Sequence, residues 1–169
     1  MSSQKVVLIT GASSGIGQSI ARLLAQKGFT VFGASRNPDA VEHVPAVEVL
    51  PLDVRSDESV KACVDAVLAR AGRLDILVNN AGYMLAGAVE EVTIEEARAQ
   101  FETNFFGAMR TVKAALPIMR QRRSGTIINI SSLAGPVPGP PFCGMYSASK
   151  FALEAYTEHQ WCEVRVALN

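Results

Sequence analysis

Short apolar runs alternate with longer amphipathic stretches along this chain. The runs are rich in Val, Ile and Leu, as expected of strands that are covered on both faces. Alternation of such strands with helical stretches is typical of β-α-β units around a parallel sheet. The pattern therefore predicts an α/β fold. The predicted strands are Val6–Thr10, Thr30–Ala34, Val47–Leu52, Ile76–Val78 and Thr126–Ile130.

The amphipathic stretches predict helices that begin and end with recognisable signals. Gly28 follows the first stretch, where helices commonly end with a left-handed glycine. Ser56 precedes Asp57 and Glu58, a combination that caps a helix N-terminus and complements its dipole. Pro117 is expected to bend or interrupt the third helix without ending it, because helix-favouring residues follow. The predicted helices are Ile16–Lys27, Asp57–Ala71, Ile94–Arg122 and a fourth from about Tyr146 to Val164.

A proline-rich segment follows the fifth predicted strand. Residues Gly135–Gly144 contain four prolines and three glycines, which exclude a regular helix or strand. Loops that follow the strands of a parallel sheet are the usual place for a binding or catalytic site. We therefore expect a site beside this segment, and the apolar residues of Pro136–Met145 favour a hydrophobic or steroid-like substrate.

A glycine-rich turn, Thr10–Gly17, joins the first strand to the first helix. Its first glycine permits a tight turn, its second lets the backbone approach phosphate oxygens, and its third lets helix and strand pack closely. An ordinary glycine-rich loop is the alternative. The strand-to-helix context and the free N–H groups of the helix N-terminus favour the pyrophosphate of a nicotinamide dinucleotide. The residues assigned to this cofactor are Gly11, Ser13, Ser14, Gly15, Ile16 and Gly17.

Further short segments follow this turn in the order of the predicted elements. They are Asp53-Val54, Asn79-Asn80-Ala81-Gly82, Asn104, Ile130-Ser131-Ser132 and Tyr146-Ser147-Ala148-Ser149-Lys150. The turn itself has the spacing G-x-x-x-G-x-G instead of the commoner G-x-G-x-x-G. Together these segments span residues 10–150, and the sequence resembles the short-chain dehydrogenase/reductase family, including its 17-beta-hydroxysteroid dehydrogenase-like members.

The resemblance implies a Rossmann-type fold, in which a doubly wound parallel sheet lies between two layers of helices. It implies one such domain over residues 1–169. Family members continue through two more strands and a substrate-covering segment beyond the point that matches Asn169. We therefore expect this chain to be incomplete at its C-terminus, with the fifth strand an open edge of the sheet.

The end of the second predicted strand distinguishes NADP(H) from NAD(H). A carboxylate there accepts a hydrogen bond from the ribose hydroxyl of NAD(H), whereas an arginine pairs with the 2′-phosphate of NADP(H). The segment reads Gly33-Ala34-Ser35-Arg36 and contains no carboxylate. The planar donor fork of Arg36 therefore predicts a preference for NADP(H). A solvated loop cation is the alternative interpretation of Arg36.

The resemblance assigns further residues to the cofactor. It implies that Asp53 and Val54 flank the adenine. It also implies that Asn80, Ala81 and Gly82 line the side of the nicotinamide ribose. A turn-forming or capping carboxylate is the alternative interpretation of Asp53, because aspartate commonly bonds its own backbone.

Interconverting an alcohol and a ketone requires one general acid/base beside the nicotinamide. Tyr146 is the candidate. A free phenol has a pKa near 10, and a nearby cation lowers that value because it stabilises the phenolate. Lys150 lies four residues after Tyr146, so the two side chains share one face of a helix.

The resemblance implies a role for each of four residues. Tyr146 exchanges the proton, and Lys150 lowers the pKa of Tyr146 and binds the nicotinamide ribose. Ser132 donates a hydrogen bond to the substrate oxygen, and Asn104 holds a water in a proton relay. Family members usually place this serine thirteen residues before the tyrosine, whereas Ser132 precedes Tyr146 by fourteen, which implies one extra loop residue. Ser131 is the alternative to Ser132.

Composition excludes several other classes of function. Sixteen basic residues balance sixteen acidic ones without a charged patch of the kind that binds nucleic acid or an anionic membrane. No apolar run approaches the roughly 20 residues of a transmembrane helix, which favours a cytoplasmic protein. Cys63, Cys143 and Cys162 have neither disulfide nor zinc spacing, so we expect free thiols and no metal.

The resulting hypothesis is an NADP(H)-dependent oxidoreductase that acts on a hydrophobic carbonyl compound or secondary alcohol. The alternative is a sensor or scaffold that binds the cofactor without turnover, because the substrate-covering segment is missing. The resemblance also implies a homodimer or homotetramer, with contacts through the predicted helices Ile94–Arg122 and Tyr146–Val164.

Overall fold

The computed structural model describes residues 4–137 and 139–168, with side chains described through Gln160. The strands of these residues form one parallel sheet. They are β1 (Val6–Thr10), β2 (Thr30–Ser35), β3 (Val47–Pro51), β4 (Ile76–Asn79) and β5 (Thr126–Asn129). Their spatial order is β3-β2-β1-β4-β5, the doubly wound order of a Rossmann-type sheet. All predicted strands are confirmed, with ends within one residue of the prediction.

Five α-helices connect or follow these strands within the described residues. They are α1 (Gly15–Gln26), α2 (Asp57–Ala71), α3 (Ile94–Phe101), α4 (Gly107–Arg122) and α5 (Gly144–Leu168), with a short 3-10 turn at Pro38–Ala40. Gly28 follows α1 with a φ of 83°. Ser56 caps α2, since its hydroxyl accepts a hydrogen bond from the Ser59 N–H at 3.1 Å. Both predicted helix signals are confirmed.

The predicted third helix is not continuous. A π-helical segment, Glu102–Phe106, separates α3 from α4, and the Gly107 N–H bonds the Glu102 carbonyl five residues earlier. The sequence predicts that Pro117 bends or interrupts the helix without ending it. In the structure α4 does not end at Pro117, and it is not interrupted there. The buried side chains of Ala115 and Met119 anchor the helix on both sides of the proline. Packing therefore maintains α4, and the irregular turn lies before it.

The core lies on both faces of the sheet, and β1 is buried along its whole length. Alternate side chains of a strand point to opposite faces. Val6 and Leu8 pack in the layer that contains α2 and α4, whereas Val7 and Ile9 pack with Ala21 of α1. The arrangement is the three-layer α/β/α sandwich that the resemblance implies.

Buried and half-buried polar side chains connect the last two strands to the helices around them. The Thr111 hydroxyl donates to Asn79 Oδ1 at 2.6 Å. Asn79 Nδ2 donates to Asn129 Oδ1, and Asn129 Nδ2 donates to Thr157 Oγ1, both at 2.8 Å. Because each bond joins a different pair of elements, this chain of bonds fixes α5 relative to β4 and β5.

The edge strand β5 contrasts with β1. It forms one end of the sheet, and Thr126 and Ile128 are exposed. Within the described residues, β5 is therefore an edge strand of the sheet. The described residues of the proline-rich segment form no strand, and α5 begins at its last residue, Gly144. Pro138, within this segment, lies outside the described residues.

Two of the three cysteines have described side chains. Cys63 and Cys143 are buried free thiols, as predicted, and burial raises the pKa of Cys63 to about 11. The side chain of Cys162 lies outside the described residues. Within the described part of the chain, no helix is both long and apolar enough to cross a membrane. No cluster of three or more metal-ligating side chains occurs there.

Candidate active site

A cavity of about 850 Å³ opens at the carboxyl edge of the sheet. The residue that follows each strand lies on its wall. These residues are Gly11, Arg36, Leu52, Asn80 and Ile130, in chain order. The volume falls within the range of roughly 300–1,000 Å³ that is usual for pockets binding small ligands. The parallel sheet thus brings five distant parts of the sequence to one site.

The glycine turn forms one end of this cavity. Gly11 and Gly15 have φ values of 65° and 56°, a conformation that glycine adopts without strain. A Cβ on Gly17 would lie 2.4 Å from both the Gly11 carbonyl oxygen and Asn80 Nδ2. A Cβ on Gly15 would meet nothing within 4 Å. Gly17 therefore packs against protein atoms, whereas the space beside Gly15 is free.

The N-terminus of α1 faces the same space. Ser14 is its N-cap, but among the described residues its side chain makes no capping hydrogen bond, and the first turn contains no acidic residue. Ser13, Ser14 and Ile16 are exposed on the cavity wall. Unpaired N–H groups, a positive helix end and an open Gly15 fit a phosphate anion. The residues predicted to hold the pyrophosphate are thus brought together and suit it.

The segment after β4 braces the turn. Asn80 Nδ2 donates to the Thr10 and Gly11 carbonyl oxygens, at 3.0 and 2.9 Å. The Thr10 hydroxyl accepts from the Asn80 N–H at 3.0 Å and from the Ala81 N–H at 2.9 Å. Asn80, Ala81 and Gly82 also line the cavity, where the sequence predicts the nicotinamide ribose. Asn80 therefore holds β4 against the glycine turn as well as facing the site.

The far end of the cavity from Tyr146 contains two arginines and one carboxylate. Arg36 is exposed on the wall beside Asp53 and Val54. Both oxygens of Asp53 accept from the Arg55 guanidinium, the shortest bond being 2.7 Å. These bonds lower the pKa of Asp53 to about 2. Asp53 also accepts from the Arg55 N–H at 3.0 Å, so it forms a local turn while lining the cavity.

Tyr146 and Lys150 share the wall at the other end. Both belong to α5, and the Lys150 Nζ lies 5.8 Å from the centroid of the Tyr146 ring. Lys150 is only 6% exposed, and its Nζ donates to the Ile130 carbonyl at 2.8 Å. Burial lowers the pKa of Lys150 below its ordinary value, while the nearby Glu154 carboxylate opposes that shift. The predicted cation and phenol are therefore adjacent.

The two candidate serines have different surroundings. Ser131 contributes to the cavity wall, but its Oγ is buried and has no hydrogen-bond partner among the described residues. The Ser132 Oγ accepts from the Ala134 N–H at 3.2 Å, which leaves its own hydroxyl proton available for donation. The choice of Ser132 as the substrate-binding serine stays a prediction.

Asn104 lies in the π-helical segment and is 2% exposed. Its Oδ1 accepts from the Tyr83 N–H at 3.0 Å, and its Nδ2 donates to the Tyr83 carbonyl at 2.9 Å. The same Nδ2 donates to Ser149 Oγ at 3.1 Å. The side-chain amide that is predicted to hold a water is thus engaged by protein atoms. A π-helical turn leaves backbone carbonyls without their usual partners, and such turns are frequent at functional sites.

Residues on or behind the wall also include some that the sequence did not single out. Tyr83 and Met84 line the cavity after the Asn-Asn-Ala-Gly segment. Gln100 lies behind them, fully buried and bonded to the same backbone as Asn104. The available signal was the spacing of four residues between the amides Gln100 and Asn104, which places both on one helix face.

Comparison with known proteins agrees with this geometry. A family model described as short chain dehydrogenase matches residues 5–167. The 3-ketodihydrosphingosine reductase of Bacteroides thetaiotaomicron is 48% identical over 95% of this chain and 58% of its own length. Human (Homo sapiens) retinol dehydrogenase 8 is 43% identical over 91% of this chain and 52% of its own length. The chain thus spans little more than half the length of these relatives.

Solved structures of similar proteins share the fold. A short-chain dehydrogenase from Streptomyces avermitilis is 42% identical, with a TM-score of 0.93 over 99% of this chain and 63% of its own. An alcohol dehydrogenase from the archaeon Thermococcus sibiricus, complexed with 5-hydroxy-NADP, is 32% identical. Its TM-score is 0.87 over 96% of this chain and 72% of its own.

Proposed function

The chain belongs to the short-chain dehydrogenase family, and from that premise we propose that it interconverts a carbonyl group and a secondary alcohol with NADP(H). One observation carries the proposal. A single cavity has the glycine turn on one side and the adjacent pair Tyr146 and Lys150 on the other. A site that both holds a dinucleotide and presents a general acid/base has the parts that this reaction requires.

The residues on the wall fit NADP(H). Gly11 to Gly17 and the N-terminus of α1 would hold the pyrophosphate, and Arg36 would pair with the 2′-phosphate. Asp53 and Val54 would flank the adenine, while Asn80 to Gly82 would lie beside the nicotinamide ribose. The 5-hydroxy-NADP of the Thermococcus sibiricus structure supports this choice of cofactor. When bound, the nicotinamide supplies or accepts the hydride.

Tyr146 exchanges the proton in this proposal. During reduction its hydroxyl donates a proton to the carbonyl oxygen, and during oxidation its phenolate accepts one from the alcohol. The Lys150 ammonium favours the phenolate that remains, because opposite charges attract strongly at a buried site. The bond from Lys150 to the Ile130 carbonyl holds that ammonium in place. Lys150 would also bind the nicotinamide ribose.

Ser132 and Asn104 complete the proposed machinery. The free hydroxyl proton of Ser132 would bond the substrate oxygen and stabilise the negative charge that develops there. Asn104 would contribute to the proton relay. Since its side chain bonds Tyr83 and Ser149, we place the relay water on a backbone carbonyl of the π-helical segment instead of on the amide.

We propose a hydrophobic substrate. Exposed apolar side chains occur in the segment that precedes Tyr146, where Leu133 is 86% and Phe142 is 65% exposed. Met84, on the wall, is also exposed. Apolar side chains in such a position favour an apolar ligand. The names of the two relatives, which refer to ketodihydrosphingosine and retinol, support this class.

We also propose that residues 1–169 act as one cofactor-binding domain that forms a homodimer or homotetramer. Phe106 and Phe151, on or beside the helices assigned to subunit contacts, are exposed. Free buried thiols at Cys63 and Cys143 favour a reducing, cytoplasmic setting. Light scattering of the purified protein would measure the assembly, and a monomer at all concentrations would contradict it.

A panel of ketones, assayed by loss of NADPH absorbance, tests the function. We expect turnover that increases with the apolar character of the ketone. In Tyr146→Phe, turnover should fall by about 100- to 10,000-fold, the usual contribution of a general acid/base, while NADPH affinity is unchanged. Saturable NADPH binding without turnover of any ketone would contradict the proposal and favour a sensor or scaffold.

A further inference from the structure

The segment Tyr83–Leu85 follows the Asn-Asn-Ala-Gly segment and contributes to the cavity wall. Tyr83 and Met84 line the cavity, and their side chains are 44% and 57% exposed. The Met84 Sδ lies 3.6 Å from the Cys143 Sγ, and the Gly87 N–H donates to the Phe142 carbonyl at 2.9 Å. These two contacts therefore connect the loop after β4, which contains the segment, to the loop before α5.

Gln100 supports the segment from behind. Its Nε2 donates to the Tyr83 carbonyl, and its Oε1 accepts from the Leu85 N–H at 2.9 Å. In a parallel sheet, a residue donates to the carbonyl before its partner residue and accepts from the N–H after it. The Gln100 side chain forms the same two bonds on either side of Met84. The side chain thus substitutes for a strand and fixes the backbone around Met84.

The burial of Gln100 indicates that these bonds matter. The side chain is fully buried, with 0% of its surface exposed. A polar group in such a place is costly unless it is paired, and an apolar side chain of similar size would fill the space without that cost. Asn104 secures only the Tyr83 end of the segment, so Gln100 is the described side chain that bonds the Leu85 N–H.

We propose that Gln100 is a positioning residue for substrate: it holds Met84 and its neighbours as the substrate-facing wall without contacting the cofactor. The inference rests on the proposed carbonyl reductase function. Gln100 should therefore affect ketone binding and not NADP(H) binding, because the glycine turn is braced separately by Asn80. The ligand whose affinity depends on Gln100 is an apolar ketone.

Gln100→Leu tests the inference, since it keeps the volume and removes both bonds. Thr93→Ala is the matched control: it removes the N-terminal cap of the same helix, α3, and does not touch the segment. The probes are 2-dodecanone, titrated by calorimetry into the complex with NADP⁺, and NADPH alone, followed by its fluorescence. Amide hydrogen exchange at Leu85 is measured in parallel.

We expect Gln100→Leu to weaken ketone binding about tenfold or more, since it leaves the half-buried Leu85 N–H without its partner. NADPH affinity should stay within about twofold in the same titration, and the Leu85 amide should lose protection. Thr93→Ala should change neither affinity. If Gln100→Leu does not fold, Gln100→Asn, which keeps the amide but shortens its reach, takes its place.

Two outcomes contradict different claims. If the ketone binds wild type and Gln100→Leu equally well, or if NADPH affinity falls in parallel with ketone affinity, Gln100 is not a positioning residue for substrate. If wild type binds NADP⁺ but neither binds nor reduces any ketone, the proposed function fails. The first result leaves the proposed function standing, so the two failures are distinguishable.

Discussion

The two ends of the cavity are built in different ways. At the end assigned to the nucleotide, the shape comes from the backbone: Gly11 and Gly15 have positive φ values, and Asn80 bonds main-chain oxygens of the turn. At the end near Tyr146, the wall includes the exposed side chains of Tyr83 and Met84, and the Phe142 carbonyl accepts a hydrogen bond from Gly87 of the same loop. Phe142 even holds a positive φ of 68°, which is unusual for an aromatic residue.

The difference indicates that cofactor binding depends on backbone shape, whereas substrate selection depends on side chains. A backbone turn tolerates few residues at each position, so its ligand is constrained by glycines and their spacing. An exposed wall accepts many side chains at little cost to folding. One scaffold can therefore keep a dinucleotide site unchanged while its substrate end varies.

The largest expected effect comes from adding one methyl group to the turn. In Gly17→Ala the new Cβ would lie 2.4 Å from the Gly11 carbonyl oxygen, so the backbone must move. We expect loss of measurable NADPH binding in a fluorescence titration. Gly72→Ala is the control: it follows α2 outside the cavity, a Cβ there meets nothing within 4 Å, and its positive φ of 67° gives a strain of about 1–3 kcal/mol without a change in NADPH binding. Equal NADPH binding by Gly17→Ala and wild type would show that the backbone shape of the turn does not determine NADPH binding.

A smaller effect is expected from the serine near the substrate. Ser132→Ala should lower kcat for ketone reduction about 100-fold, because it removes a donor to the substrate oxygen. Ser131→Ala should stay within about threefold, since the proposed donor to the substrate oxygen is the hydroxyl of Ser132. Steady-state kinetics of both variants with one ketone provide the comparison. If kcat falls in Ser131→Ala and not in Ser132→Ala, Ser131 is the serine that donates to the substrate oxygen.

Arg36 is the side chain at the nucleotide end on which the proposed preference for NADP(H) rests. Arg36→Ala should weaken NADPH binding about tenfold to a hundredfold, the cost of a charge-assisted bond to phosphate, and leave NADH binding unchanged. Arg55→Ala, a second arginine on the same wall, is the control and should preserve the preference for NADPH. An unchanged ratio of the two affinities in Arg36→Ala would exclude Arg36 as the discriminating residue.

The smallest effect concerns the exposed pair Asp53 and Arg55. The folded pKa of Asp53 is about 2, below its ordinary 3.8, so the pair stabilises the fold above pH 3.8. That contribution is lost as the pH falls from 3.8 towards 2. Solvent screening limits it to about 1 kcal/mol. Free energies of unfolding at pH 5 and pH 2.5 should therefore differ less in Arg55→Met than in wild type, and an identical difference would contradict the assignment.

The strands and the nucleotide end could be predicted from the sequence because their determinants are local. Val6–Ile9 is apolar throughout since both faces of the strand are buried, and the turn after it needs glycines whatever the rest of the chain does. Tyr146 and Lys150 were also predictable, because helix periodicity alone places them on one face.

The remaining features depend on contacts between distant segments. The π-helical turn at Glu102–Phe106 accompanies Asn104, whose partner Tyr83 is 21 residues away in sequence. The spacing of Gln100 from Asn104 indicates a shared helix face, but the partner of Gln100 is known only once its bond to Leu85 is seen. No local pattern reports such pairings. Pro117 shows the converse, since tertiary packing overrides a local signal for interruption.

Transfer of deuterium from NADPH labelled at both C4 positions tests the central claim most directly. If the cavity transfers a hydride, an apolar ketone should be recovered as a secondary alcohol one mass unit heavier than the unlabelled product. Tyr146→Phe, which still binds NADPH, should yield almost none. Saturable NADPH binding by the wild-type protein, with no deuterium in any alcohol, would contradict the claim that this cavity transfers a hydride.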